Sequence, residues 1–250
     1  MNVLRSEWTK FRSLRSTWLT AAVTVLLGVG IAAMASSGKA RAYAGEADWD
    51  PTAISLTSII VAQLAIGVLG VLVITAEYST GTIQPSVVAV PGRGRLLAAK
   101  AVVFSGVALL LGQVIGFTSF LAGQALIADA GVPYATLGQP EVLRAVVGSG
   151  LYLAAIGLLG LGLGALMRST AGAIGVLVSA TLLIRLVAQS FPESWSDWMD
   201  RYWPTAAGEK IVNVLPVPEA LPPLTGFGLL CGFVAAVGAI GYTVLRTRDV

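Results

Sequence analysis

The chain has 250 residues, 56% of them hydrophobic and 12% charged, with a formal net charge of +3 and a mean hydropathy of +0.81. Soluble domains carry about 25% charged residues; half that share, with several apolar runs near bilayer length, excludes an ordinary soluble domain and marks a polytopic membrane protein. The lack of histidine removes the commonest general base and metal ligand, and the single cysteine, Cys231, excludes a disulfide framework.

Residues 1–17 carry Arg5, Lys10, Arg12 and Arg15 against one acid, Glu7. Leu4, Trp8, Phe11, Leu14 and Trp18 recur at spacings of three and four and form one helical stripe. A basic helix with an aromatic face lies on an anionic membrane surface, so an amphipathic interfacial helix is predicted here. The competing reading is a signal peptide cleaved after Ala33-Met34-Ala35, against which the lead is long and regular. Apolar runs then predict six spans, at about 18–36, 53–76, 101–127, 145–167, 171–188 and 224–245. Between them lie a polar segment at 37–51, a loop at 77–100, a second polar segment at 128–144 with Pro133 and Pro140, the short turn Arg168-Ser169-Thr170, and a long segment at 190–223. The expected fold is all-α: one transmembrane domain over 1–250 with six transmembrane helices, the amphipathic N-terminal helix, and a short outer amphipathic helix before the last span.

Charge tests this division. The N-terminal segment, the 77–100 loop, the 168–170 turn and the C-terminus hold Arg5, Lys10, Arg12, Arg15, Arg93, Arg95, Lys100, Arg168, Arg246 and Arg248, but only Glu7, Glu77 and Asp249 among acids. The basic bias sets orientation and places both termini in the cytoplasm.

The richest loop is Glu77–Lys100, EYSTGTIQPSVVAVPGRGRLLAAK. Glu77 at a membrane boundary needs water or a partner. Gly81 permits a tight turn, and Thr82–Val90 fits a short helix stopped by Pro91-Gly92. Read from the residues, the segment is either a solvated loop with positive-inside charges or a helix that docks in a partner's groove. Glu77-Tyr78-Ser79-Thr80-Gly81-Thr82, followed by Arg93, Arg95 and Lys100, resembles the first cytoplasmic loop of type 2 ABC-exporter permeases. Ser6–Trp18 (SEWTKFRSLRSTW) resembles the N-terminus of the small bacterial members, and Tyr202-Trp203-Pro204-Thr205-Ala206-Ala207-Gly208 the stretch before their last span. The resemblance implies a permease of the bacterial cytoplasmic membrane, forming half of a substrate pathway with a second permease copy or paralogue. It also implies two cytoplasmic ATP-binding subunits that carry ATP and Mg and touch Glu77, Tyr78, Gly81, Thr82, Arg93 and Arg95. Drugs, peptide antibiotics or lipid-like amphiphiles are the cargo it implies.

Gln63, Gln113 and Thr118 lie within spans and read either as pathway lining or as interhelical hydrogen-bond groups. Gly157-Leu-Leu-Gly160-Leu-Gly-Leu-Gly164 lacks the preceding strand of a nucleotide-binding motif. Gly157, Gly160 and Gly164 instead allow close helix approach, to a neighbouring span or to a second copy. Arg185, near the outer end of the fifth span, snorkels or pairs with an outside acid. Phe191, Trp195, Trp198, Met199 and Tyr202 share a helical face that Pro204 would end. With Trp203 they read as an outer interface, either a passive anchor or a cover over the pathway mouth.

No catalytic constellation is present, nor a mid-span carboxylate for ion coupling, nor a GxxxxGK[ST] loop. The chain is thus not expected to be an enzyme, and it binds no cofactor or metal by any motif in the sequence. Energy would come from a separate subunit. The alternative to a permease is a membrane scaffold or sensor that docks a cytoplasmic partner without moving a substrate.

Overall fold

A computed structural model describes residues 2–13, 15–46, 48–81, 93–188, 190–215, 217 and 220–247. Of the described residues 84% are helical and none lies in a strand, as the apolar periodicity requires. The helices are α1 (Asn2–Ser13), α2 (Arg15–Ala42), α3 (Pro51–Ser55), α4 (Ile59–Ser79), α5 (Arg93–Asp129), α6 (Pro140–Met167), α7 (Thr170–Val178), α8 (Ile184–Ala188), α9 (Glu193–Tyr202), α10 (Pro204–Glu209) and α11 (Pro223–Thr247). A π-helical turn, Ser179–Leu183, joins α7 to α8, and a 3-10 turn, Lys210–Val212, follows α10. Among the described residues six helices are long and apolar enough to cross a membrane: α2, α4, α5, α6, the continuous α7–π–α8 rod, and α11.

The fourth span, α6, is the axle of the bundle. It is buried along most of its length, and α4, α5 and α11 pack along it. Its glycines make this possible. A Cβ at Gly160 would lie 2.1 Å from the carbonyl oxygen of Gly67 on α4, and a Cβ at Gly70 would lie 2.0 Å from that of Gly157. Glycine on both partners brings the two backbones to van der Waals contact, which in lipid is the main source of helix association. Gly164 meets Ile74 and Val71 one turn further along. Gly157, Gly160 and Gly164 all pack within the chain, the latter two against the second span and Gly157 against Phe104 of the third and Ile66 of the second.

Helix ends depart from the sequence reading at four places, each with a local cause. The aromatic stripe predicted to run through Trp18 is divided: α1 ends at Ser13, and Trp18 belongs to α2, where its indole N–H donates to the Arg12 carbonyl at 3.3 Å. That carbonyl lies in the last turn of α1 and has no donor within the helix. Leu14, which the stripe included, lies outside the described residues. The first span continues to Ala42, with Lys39 and Arg41 in its final turn, where cations suit the helix dipole. The second span is interrupted at residues 56–58, where Ser55 and Thr57 hydroxyls donate to the carbonyls of Pro51 and Ile54 at 2.8 Å each, the local competition that disfavours these residues in helix interiors. The third span starts at Arg93, so the last eight residues of the 77–100 loop are helical; their inward face carries Leu96, Leu97, Ala99 and Lys100, all buried.

At the end of the bundle away from the termini, Asp50 caps α3 by accepting from Ala53 N–H at 3.0 Å. Its second oxygen accepts from the Val214 and Leu215 N–H groups at 3.1 and 3.3 Å. Arg144 donates to the Ile211 and Asn213 carbonyls at 3.2 and 2.9 Å. The stretch between α10 and α11 is thus tied down by side chains of two other elements. Proline 204, expected to end the aromatic helix, does so and also opens α10, because its fixed φ suits a first helical position. Thr205, Ala206, Ala207 and Gly208 of α10 are buried, so part of the 190–223 segment returns into the bundle rather than lying on its surface.

Candidate functional site

Four charged side chains from three helices close into a ring where α1, α4 and α5 meet. Lys100 of α5 donates to Glu7 Oε2 of α1 and to Glu77 Oε1 of α4, each at 2.7 Å. Lys10 of α1 donates to Glu7 Oε1 at 3.0 Å and to Glu77 Oε1 at 2.9 Å. Glu7 and Lys10 stand one turn apart on α1, so that one helix presents both an acid and a base to the two flanks of the 77–100 loop. The two carboxylates balance the two ammonium groups. The side chains of Lys100 and Glu7 are 2% and 6% exposed, whereas Lys10 opens to the surface at 43%. Burial pulls the Lys10 ammonium down, but its hydrogen bonds to Glu77 and Glu7 and their negative charge outweigh this and leave it above its ordinary value. The second oxygen of Glu77 is buried without a hydrogen-bond partner among the described residues, a costly arrangement in a low-dielectric site.

Apolar packing fixes the ring. Phe11 of α1 lies 6.4 Å from Phe104 of α5 and 6.5 Å from Trp18 of α2, centroid to centroid. Phe11 and Glu7 are buried while Leu4 and Trp8 stay exposed. Beside the ring, the last turn of α4 carries Tyr78, whose ring lies 5.5 Å from the Arg168 guanidinium. Arg168 donates to the Val244 carbonyl of α11 at 3.1 Å. It terminates α6 in the left-handed region, φ +53, with its N–H on the Gly164 carbonyl. A side chain rarely adopts that conformation; here it lets one residue end α6 and clasp the ends of α4 and α11. Gly81, just beyond α4, takes φ +69 with open space around it, the left-handed glycine that commonly follows a helix.

The loop residues singled out from sequence therefore divide. Glu77 and Tyr78 are built into this cluster, Gly81 forms the turn leaving it, and Arg95 is exposed on the first turn of α5. Arg93 opens α5, with its side chain outside the described residues; Thr82, the expected Thr82–Val90 helix and the Pro91-Gly92 stop also lie outside them. Sequence reasoning missed the pairing of Glu7, Lys10 and Lys100 with Glu77. Its signal was the one acid in a basic N-terminal helix, three residues before a lysine.

Gln63, Gln113 and Thr118 are each engaged between or within helices. Gln63 is 1% exposed and accepts from the Tyr152 hydroxyl of α6 at 2.6 Å. Gln113 donates to the Val147 carbonyl of α6 at 3.0 Å. Thr118 donates to the Val114 carbonyl of its own helix at 2.6 Å. Gln124 joins three segments through Pro51, Ser55 and Ala135. At the far end Trp195, Trp198 and Tyr202 project from α9 at 63%, 58% and 42% exposure, while Trp203 turns inward and donates to the Ala180 carbonyl at 2.7 Å. Arg185 pairs with Glu209, the second of the two roles open to it.

Among the described residues six spanning-length helices, one of them the glycine-notched axle, with a buried charge ring at one end, define a polytopic α-helical membrane protein. The family model described as ABC-2 family transporter protein matches residues 3–188, and the chain belongs to that family. It is a permease of an ABC transporter, a membrane transport component that is not itself catalytic. Permeases of this family generally pair with a cytoplasmic ATP-binding subunit. The match includes α1, the 77–100 loop and the first five spans, and ends at Ala188. No curated protein matches the chain.

Proposed function

We propose that this chain is the permease subunit of an ATP-driven exporter and that the Glu7–Lys10–Glu77–Lys100 ring receives the motion of the ATP-binding subunit. The observation that carries this reading is position: Glu77 and Lys100 flank the loop at 82–92, and both are locked to α1 by the ring. A push on the loop reaches α4 and α5 together, because their ends share the same counter-charges. Arg168 extends the connection to α6 and α11 through Tyr78 and Val244. In this reading the ring end faces the cytoplasm, as the basic bias of its segments requires, both termini lie there, and the membrane is the bacterial cytoplasmic one. The lipid-exposed aromatics of α9 sit at the opposite headgroup level. A second permease copy or paralogue completes the pathway, two ATP-binding subunits carry ATP and Mg, and the scarcity of mid-span charge favours an amphipathic cargo such as a drug, peptide antibiotic or lipid-like molecule.

The test is co-purification in mild detergent followed by reconstitution. A soluble P-loop ATPase is expected to accompany the chain and to be lost when residues 81–95 are replaced by a flexible linker. Glu77→Ala and Gly81→Pro are expected to abolish ATP-dependent export while membrane insertion persists. Substrate-stimulated ATPase activity in the wild-type complex separates a permease from a scaffold or sensor. Export that is unchanged in both variants overturns the role given to the ring and loop.

A further inference from the structure

The fifth span contains a break in register that the opposite end of the molecule holds in place. In Ser179–Leu183 the Ile184 N–H bonds back five residues to the Ser179 carbonyl. In an α-helix that N–H would serve Ala180, so the Ala180 carbonyl is left without its ordinary donor. Two side chains of the following segment supply replacements: the Trp203 indole N–H at 2.7 Å and the Thr205 hydroxyl at 2.8 Å. Ala180 and Thr205 are both buried, at 8% and 3% exposure. At its other end α10 presents Glu209 to Arg185, five residues past Ala180. The far face of α10 rests on the last span, where a Cβ at Gly226 would lie 2.2 Å from the Ala207 carbonyl and Gly208 faces Leu230.

A π turn amounts to one residue inserted into an α-helix. Everything beyond it is rotated by about 100° and set back by about 1.5 Å relative to the uninterrupted helix. Reversion to α register therefore does two things at once. It returns the Ile184 N–H to Ala180, making Trp203 and Thr205 dispensable, and it turns Arg185 away from Glu209. The Arg185–Glu209 attachment thus exists only in the π register, and the one to Ala180 is required only there. They lie beside a cavity of about 260 Å³ lined by Ile184, Arg185 and Ala188 of the span, by α9 residues including Asp200, and by Trp203 and Ala206.

We propose that Ser179–Leu183 is a two-state register switch, held in its π form by α10. Detachment of α10 converts it to α-helix, rotates α8, and takes Arg185 out of the cavity wall. This lies at the end of the bundle remote from the charge ring and stands independently of the role proposed for the ring.

The test uses the full chain in lipid nanodiscs, in a Cys231→Ser background, with spin labels at Val187→Cys and Trp195→Cys. Both positions are exposed, at 51% and 63%. Deleting Thr181 removes the inserted residue and leaves everything beyond it where the π form places it, so this variant supplies the wild-type spin–spin distance from a span that has no second register. Combining Trp203→Phe with Thr205→Val removes both donors, and is expected to add a second distance, that of the α register, to the wild-type one. Glu209→Gln, which leaves both donors intact, is expected to add it in smaller amount, and it remains readable if the double variant does not fold. Retention of the wild-type distance alone in the folded variants overturns the proposal. So does a broad distribution that matches neither register.

Discussion

Lys100 holds two carboxylates in a place from which water is nearly excluded, and that fixes what its removal costs. With Lys100→Met, Glu7 and Glu77 share only Lys10, whose side chain is 43% exposed. Removing one partner of a buried ion pair typically costs about 3–5 kcal/mol, because the remaining charge stays desolvated. Lys10→Met removes a surface-open partner and is expected to cost about 0–1 kcal/mol. Urea or SDS unfolding of the two variants in detergent measures the difference; equal losses would show that the ring is not buried in the membrane-inserted protein. The pH dependence follows from the upward shift of Lys10. A cation favoured in the folded state contributes fully below its unfolded value of 10.5 and loses that contribution as pH rises through the higher folded value. The gap between wild type and Lys10→Met is therefore expected to stay constant across neutral pH and to close only above 10.5. Arg168 presents a different balance, since its φ of +53 is unfavourable while its guanidinium ties α6 to α4 and α11. Both Arg168→Ala and Arg168→Gly lose the tie, but only glycine relieves the backbone. Arg168→Gly is expected to be the more stable of the two by about 1 kcal/mol, with thermal unfolding as the readout.

At the scale of elements, glycine decides which helices approach and which stay apart. A methyl group at Gly160 must displace the Gly67 backbone, 2.1 Å away, whereas one at Gly175 in α7 meets nothing within 4 Å. Gly160→Ala is expected to destabilise by about 1–3 kcal/mol, the usual range for overpacking, and Gly175→Ala to be neutral or slightly stabilising. Equal effects in the same unfolding assay would count against the α4–α6 contact. The positions of these glycines within apolar runs were legible in the sequence, because a bilayer sets span length and composition so strongly. Their partners were not, since Gly67 and Gly70 lie about 90 residues away and nothing local identifies them. Helix ends were the least legible feature. Ala42 and Arg93 lie in polar stretches where tertiary contacts, not hydropathy, decide how far the helix continues. The π turn had no local signal: SATLL is compatible with an α-helix, and its register is set by Trp203 and Thr205 some twenty residues later. In the charge cluster Glu77 was legible as a boundary carboxylate, but its ring was not, because Lys100 and Glu7 come from 23 and 70 residues away and are matched only by folding.

The whole molecule is secured differently at its two ends. A buried charge ring closes the end that holds α1, while the other combines the more open Arg185–Glu209 and Lys210–Asp200 pairs with hydrogen bonds from side chains to backbone through Asp50, Arg144, Trp203 and Thr205. The charged closure depends on α1, which does not itself span the bundle yet supplies one acid and one base to the ring. Removing residues 2–13 is therefore an informative change. Lys100 would keep Glu77 as its counter-charge, so the six spans retain their burial and the truncated chain is expected to insert at normal yield. Phe104 would lose Phe11, and α4 and α5 would keep only the single Lys100–Glu77 bridge between their ends. The truncated chain is then expected to unfold at lower temperature than wild type. In the proposed reading it also loses most ATP-dependent export, because a push on the loop would spread the two helix ends rather than move them together. Thermal unfolding reads the first effect and export from reconstituted vesicles the second. Lowered stability with export intact would leave α1 as a structural brace alone, and α4 and α5 would then have to transmit the motion without the ring.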